Sequence, residues 1–80
     1  MNYTDNDSVW QELANSIIIS AGREYIDLHV EERRHKVKNL GKIMQLKRFF
    51  YSDRFKLYTK IDPDRFVHDL DAEIERRLYG

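Results

Sequence analysis

The sequence predicts an all-α fold: a small helical bundle with a long N-terminal helix, a second helix, a short third helix and a C-terminal helix. Apolar residues recur at three- and four-residue steps through most of the chain, the spacing that lines one face of a helix. Serine or aspartate stands where such runs begin, at Ser8, Ser52 and Asp62, and their side-chain oxygens suit the unpaired N–H groups of a helix start. The chain has no cysteine, so neither a disulfide nor a thiolate metal site supplements the packing of these helices.

Met1 to Asp7 is polar and reads as a frayed end leading to Ser8 as an N-cap. In the long helix that follows, Trp10, Leu13, Ala14, Ile17, Ile18, Ala21, Tyr25, Leu28 and His29 fall on one face, with Val9, Ile19, Ile26 and Val30 beside it. That arc is wider than one partner helix covers, which predicts burial on two sides, one of them against another subunit. Gly22 costs the helix about 1 kcal/mol relative to alanine and marks a kink or a close helix crossing. The charged run Glu31 to Lys36 carries the helix into a short connection. Val37, Leu40, Ile43, Met44, Leu46, Lys47 and Phe50 then fit a second helix. Ser52 caps a short third helix with Asp53 in its first turn, carrying Phe55, Leu57 and Tyr58. Asp62-Pro63-Asp64 opens the last helix, because Asp62 caps it, Pro63 suits its first position and Asp64 complements its positive end. Phe66, Val67, Leu70, Ile74 and Leu78 form its apolar stripe, and Arg76 and Arg77 sit at its negative end.

Eighty residues make one domain, 1–80, of a size that buries about 60% of the unfolded chain's surface and is often helped by self-association. The longest apolar run, Ile17-Ile18-Ile19, is far short of the roughly 20 residues that span a bilayer, and the acidic start is unlike a secretory signal. The expectation is a cytoplasmic protein with no membrane contact. The net charge of zero conceals blocks: residues 1–32 hold seven acids and one base, residues 33–60 ten bases and one acid, and residues 61–80 six acids and three bases. The central block therefore carries a positive potential unless folding neutralises it.

Little in the sequence speaks for catalysis or a cofactor. His29 and His35 are six apart, which rotates them by about 600° on a helix and leaves them on opposed faces, unable to share a metal. Glu32 and His35 form one Glu-x-x-His pair where a di-iron bundle needs two. The serines lack a glycine-framed elbow or a neighbouring base, and Gly22, Gly41 and Gly80 are too isolated to cradle phosphate. Asp62 and Asp64 are explained by capping, without calcium. The expectation is a binding protein with no enzymatic activity, metal or cofactor.

The segment Lys47-Arg48-Phe49-Phe50-Tyr51-Ser52-Asp53-Arg54-Phe55 combines phosphate-binding cations with aromatic faces that stack on bases. With a cap at Ser52, Phe50 and Phe55 should point inward and Lys47, Arg48, Tyr51 and Arg54 should stay near the surface. A binding site on this block would place Arg33, Arg34, Lys47, Arg48 and Arg54 on phosphates, with Tyr25 or Tyr51 stacking. The competing reading makes the aromatics core and the bases counter-charges for the acidic helices, since burying each large side chain gives about 1.5–3 kcal/mol.

From Ile17 onward the chain resembles short uncharacterised proteins of prophages and integrative elements of Gram-positive bacteria. The resemblance rests on Ala21 and Tyr25, on Phe49-Phe50-Tyr51-Ser52-Asp53-Arg54-Phe55 with Leu57 or Tyr58 and Thr59, and on Ile61-Asp62-Pro63. That group typically carries Arg where Tyr51 stands and Trp where Arg54 stands. The resemblance implies a mobile-element origin. Such elements encode small inert proteins that blunt host defence, some by sequestering nucleotide signals in oligomers and some by blocking effectors. Three partners follow: an anionic nucleotide held in a homo-oligomer built through the first helix, a nucleic acid on the same basic face, or a host defence protein.

Overall fold

The computed structural model describes the backbone of residues 3–80 and the side chains of residues 8–80. It contains four helices, α1 (Tyr3–His35), α2 (Leu40–Phe50), α3 (Asp53–Tyr58) and α4 (Pro63–Tyr79), and no strand among the described residues. The all-α reading is correct. A 33-residue helix is about 50 Å long, and α1 accordingly sets the 51 Å long dimension of the molecule. The other three helices pack on α1 directly, whereas α2 and α4 lie farther apart and meet through the Phe50 and Phe66 rings.

Two start points differ from expectation. Ser8 is not an N-cap, because α1 is already helical from Tyr3; of the stretch read as frayed, Met1 and Asn2 lie outside the described residues. The second helix begins at Leu40, so Val37 belongs to the connection. Asn39 occupies the N-cap position of α2 without capping it. Its side-chain amide instead donates to the Leu28 carbonyl at 3.2 Å and to Glu31 at 3.4 Å, and its backbone N–H donates to Glu32 at 2.9 Å. The connection is thus tied back to α1, and Asn39 is buried as a result.

The remaining boundaries follow local chemistry. The Ser52 hydroxyl donates to the Phe49 carbonyl at 2.6 Å and accepts from the Phe55 N–H at 3.4 Å, closing α2 and opening α3 with one side chain. Asp62 accepts from the Arg65 N–H at 3.1 Å with Pro63 as the first helical residue. Gly22 is a close crossing: a Cβ there would lie 3.3 Å from both Leu70 and Phe66 of α4.

The buried cluster draws on every helix: Ile18, Tyr25 and Ile26 of α1, Ile43 and Phe50 of α2, Phe55 of α3, Val67 and Ile74 of α4. Phe50 packs edge-on against Tyr25, Phe55 and Phe66 at centroid distances of 5.6, 6.0 and 5.2 Å. Leu57, on the same short helix as Phe55, is exposed, because six-residue α3 turns only one side to the core. The broad stripe of α1 divides as well. Ala14 and Ile18 are buried, while Val9, Trp10, Leu13 and Ile17 remain exposed.

Lys36, directly after α1, has φ 55, a left-handed conformation that favours glycine at the residue following a helix. Lys36→Gly should therefore stabilise the fold by about 0.5–1 kcal/mol, read as a higher urea midpoint at unchanged slope; a loss of stability would contradict the strain assigned to this position.

Candidate functional site

The turn at Ser52 separates the basic-aromatic segment as its cap predicts. Phe50 and Phe55 are fully buried and Phe49 is half-buried, whereas Lys47, Arg48, Tyr51 and Arg54 are exposed. Met44, Lys47, Arg48 and Tyr51 surround one shallow depression on α2. Asp64 stands close to Tyr51 and, as a hydrogen-bond acceptor, raises the affinity of that phenol for its proton. Arg54 lies apart on α3.

Tyr25 is the correction. It is 1% exposed, its hydroxyl donates to Asp71 at 2.9 Å, and its ring is clamped between His29 and Phe50 at 4.5 and 5.6 Å. No ligand base can stack on it. The period that placed Tyr25 on the apolar face of α1 also predicted this burial, and the hydroxyl is satisfied by a residue 46 positions away that no local pattern reveals.

Arg33 and Arg34 reach across to α4. Arg33 approaches Glu75 at 3.8 Å and the Tyr79 hydroxyl at 3.5 Å, and Arg34 donates to the Arg77 carbonyl at 2.7 Å, one of the unpaired acceptors of a helix end. Arg33 and Lys47 come together with Tyr25, His29, Asp71 and Glu75 around a cleft of about 280 Å³ between α2 and α4. Two cations there face two carboxylates, so the cleft has no net preference for an anion. Arg34 and Arg54 belong to neither depression.

The wider basic block is a different matter. Of its ten Lys and Arg residues, only Arg33 has a carboxylate within 4 Å among the described residues. Several acids are engaged elsewhere: Asp27 and Glu73 with Arg77, Glu73 also with Arg76, and Glu31 and Glu32 with Asn39. Direct pairing with the acidic helices therefore does not neutralise α2 and α3, where Lys42, Arg48, Arg54 and Lys56 are all exposed, as is Lys60 after α3.

His29, which its spacing placed on the apolar face of α1, is half-buried there. Its Nε2 is buried without a hydrogen-bond partner, and burial lowers the proton affinity of the ring against the opposing pull of Asp71 and Glu32. No cluster of three or more His, Asp or Glu suited to a metal occurs among the described residues, and no helix among them is long and apolar enough to cross a membrane. A separate apolar cleft of about 440 Å³, lined by Ile18, Ile19, Ile26, Ile61, Phe66 and Leu70 together with Arg23, includes none of the candidate cations. Comparison with family models, with curated proteins and with solved structures gives no match for this chain.

Two pH effects follow. Burial and the bond to Asp71 raise the Tyr25 phenol above its usual 10, so the unfolded chain releases that proton first; stability is complete below pH 10 and falls as pH rises beyond it. Tyr25→Phe should lessen this fall in urea titrations and lower stability at pH 7 by about 1 kcal/mol; an unchanged alkaline slope would assign the fall to another group. The lowered His29 acts at the other end: stability is complete above 6.5 and declines below it, as the unfolded chain takes up the proton the folded one resists. His29→Gln should flatten the decline between pH 6.5 and 5, and equal slopes in both proteins would exclude His29 as its source.

Proposed function

We propose that this is a non-enzymatic binding protein that engages a phosphate-bearing ligand through the outer cationic face of α2 and α3. The observation that carries the reading is the block of bases of which only Arg33 has a carboxylate within 4 Å among the described residues, with exposed Tyr51 among them. Desolvated or paired lysines and arginines would offer a ligand little; exposed, unpaired ones release counterions when phosphate replaces them. Arg48 and Arg54 are the phosphate contacts, Lys47 a contributor and Tyr51 the stacking surface. Arg33 and Arg34 serve first to fasten α1 to the end of α4.

The ligand is an anionic nucleotide, sequestered between subunits in the cytoplasm of a cell whose defence uses it as a signal. This follows from two supports: the resemblance to mobile-element proteins, and the shallowness of the Tyr51 depression in one chain, which a second subunit would have to close. The openness of that face also favours a second reading, an extended nucleic-acid backbone laid along α2 and α3, because a convex cationic surface needs no enclosure to hold one.

Isothermal titration with cyclic dinucleotides, ADP-ribose and a single-stranded or duplex oligonucleotide separates the two. The nucleotide reading expects saturable heat with one small ligand that survives moderate salt. The nucleic-acid reading expects oligonucleotide affinity that drops by an order of magnitude or more between about 50 and 200 mM salt. In either case Arg48→Glu with Arg54→Glu should weaken binding at least tenfold while circular dichroism stays unchanged. Absence of heat with every one of these ligands would dismiss an anion-binding role.

A further inference from the structure

Three helices meet around the cleft of about 280 Å³ between α2 and α4, and each brings its own chemistry. α1 supplies Tyr25, His29 and Arg33, which stand at four-residue steps on one face of the helix. Lys47 comes from α2, and Asp71 and Glu75 come from α4, one turn apart and beside Ile74. The charges are thus sorted by wall. The α2 side carries a cation alone and the α4 side carboxylates alone.

These groups leave bonding capacity unused. Lys47 has no carboxylate within 4 Å among the described residues. Arg33 and Glu75 attract each other across 3.8 Å, a separation too long for a hydrogen bond, so Glu75 keeps its acceptors for another donor. Asp71 takes the Tyr25 hydroxyl on Oδ1, which leaves its second oxygen available. Like charges one helical turn apart also repel, and a cation between Asp71 and Glu75 relieves that repulsion. His29 adds an independent sign. Its Nε2 is buried with no hydrogen-bond partner, and such an atom in a folded protein points to a water or a ligand nearby.

We infer that this cleft binds a small zwitterion of the α-amino-acid type, with its ammonium between Asp71 and Glu75 and its carboxylate toward Lys47. A simple anion entering here meets two carboxylates, and a simple cation meets Arg33 and Lys47. A molecule that carries both charges satisfies both walls, and the mismatched wall rejects its singly charged analogues. The volume sets the size, since it falls at the lower end of the range of about 300–1,000 Å³ for small-molecule sites, which suits a single amino acid. Ile74 gives the lining its aliphatic surface and fits a short apolar side chain. Arg48, Tyr51 and Arg54 take no part, and Lys47 alone borders both this cleft and the depression at Tyr51.

Isothermal titration and amide chemical shifts with L-leucine as the probe test the inference. Isocaproate and isoamylamine serve as the same skeleton without the ammonium or without the carboxylate. The expected result is saturable one-to-one binding of leucine at millimolar concentration or below, at least tenfold weaker binding of either control, and shifts centred on His29, Lys47 and Glu75. Lys47→Gln and Glu75→Gln, both at exposed positions, should each weaken leucine at least fivefold at unchanged helicity. Absence of saturation with leucine, equal binding of either control, or wild-type affinity in both variants overturns the proposal. The probe carries no phosphate, so failure here leaves the outer cationic face untouched and failure there leaves this cleft untouched.

Discussion

Phe50 and Phe55 stand on either side of the Ser52 turn, both fully buried and 6.0 Å apart, and most of the structure is arranged around that contact. A six-residue helix such as α3 has no stability of its own, because nucleating a helix costs more than one turn of hydrogen bonds returns. Its place is fixed instead by Ser52, which bonds to the end of one helix and the start of the next, and by Phe55, which enters the core. Phe66 of α4 then closes on both rings at 5.2 and 5.3 Å, and Tyr25 brings α1 against Phe50. Burial of about 1.5–3 kcal/mol for each large side chain, with about 0.5–1.5 kcal/mol for each edge-on aromatic pair, makes this the main source of cohesion in so small a chain.

The electrostatics follow from which acids the fold consumes. Asp71 receives the Tyr25 hydroxyl, Glu31 and Glu32 hold Asn39, Asp62 caps α4, and Asp27 and Glu73 hold Arg77. These acids act as hydrogen-bond acceptors for the scaffold, so they do not pair with the lysines and arginines of the central block. Segregation of charge along the sequence thereby survives folding as segregation in space. It would have been lost had α2 packed face to face with α4. Because both helices lean on α1 and meet through Phe50 and Phe66 alone among their aromatic rings, the cations of α2 keep their outward exposure.

How much of this could be read from residues alone depended on the range of the interaction. Ser52, Asp62 and Pro63 act within three residues of themselves, and the helices they start were legible, as was the stripe of α4. The inward turn of Phe50 and Phe55 and the outward turn of Lys47, Arg48, Tyr51 and Arg54 followed from the same cap. Asn39 was opaque because it bonds to a helix eleven residues earlier rather than to the one it precedes. Tyr25 was misjudged as a ligand contact because its partner Asp71 lies on the last helix. The polar stretch before Ser8 showed no periodicity, although the helix runs through it from Tyr3. Periodicity on α1 likewise could not say which part of a wide apolar arc the chain itself would cover.

The balance of charges also governs how the molecule behaves in a crowded solution. With equal numbers of acids and bases and an isoelectric point near 6.8, the chain has no long-range repulsion to hold copies apart at neutral pH. Solubility then depends on short-range features, and the exposed apolar side chains of α1, Val9, Trp10, Leu13 and Ile17, are the ones most open to chance association.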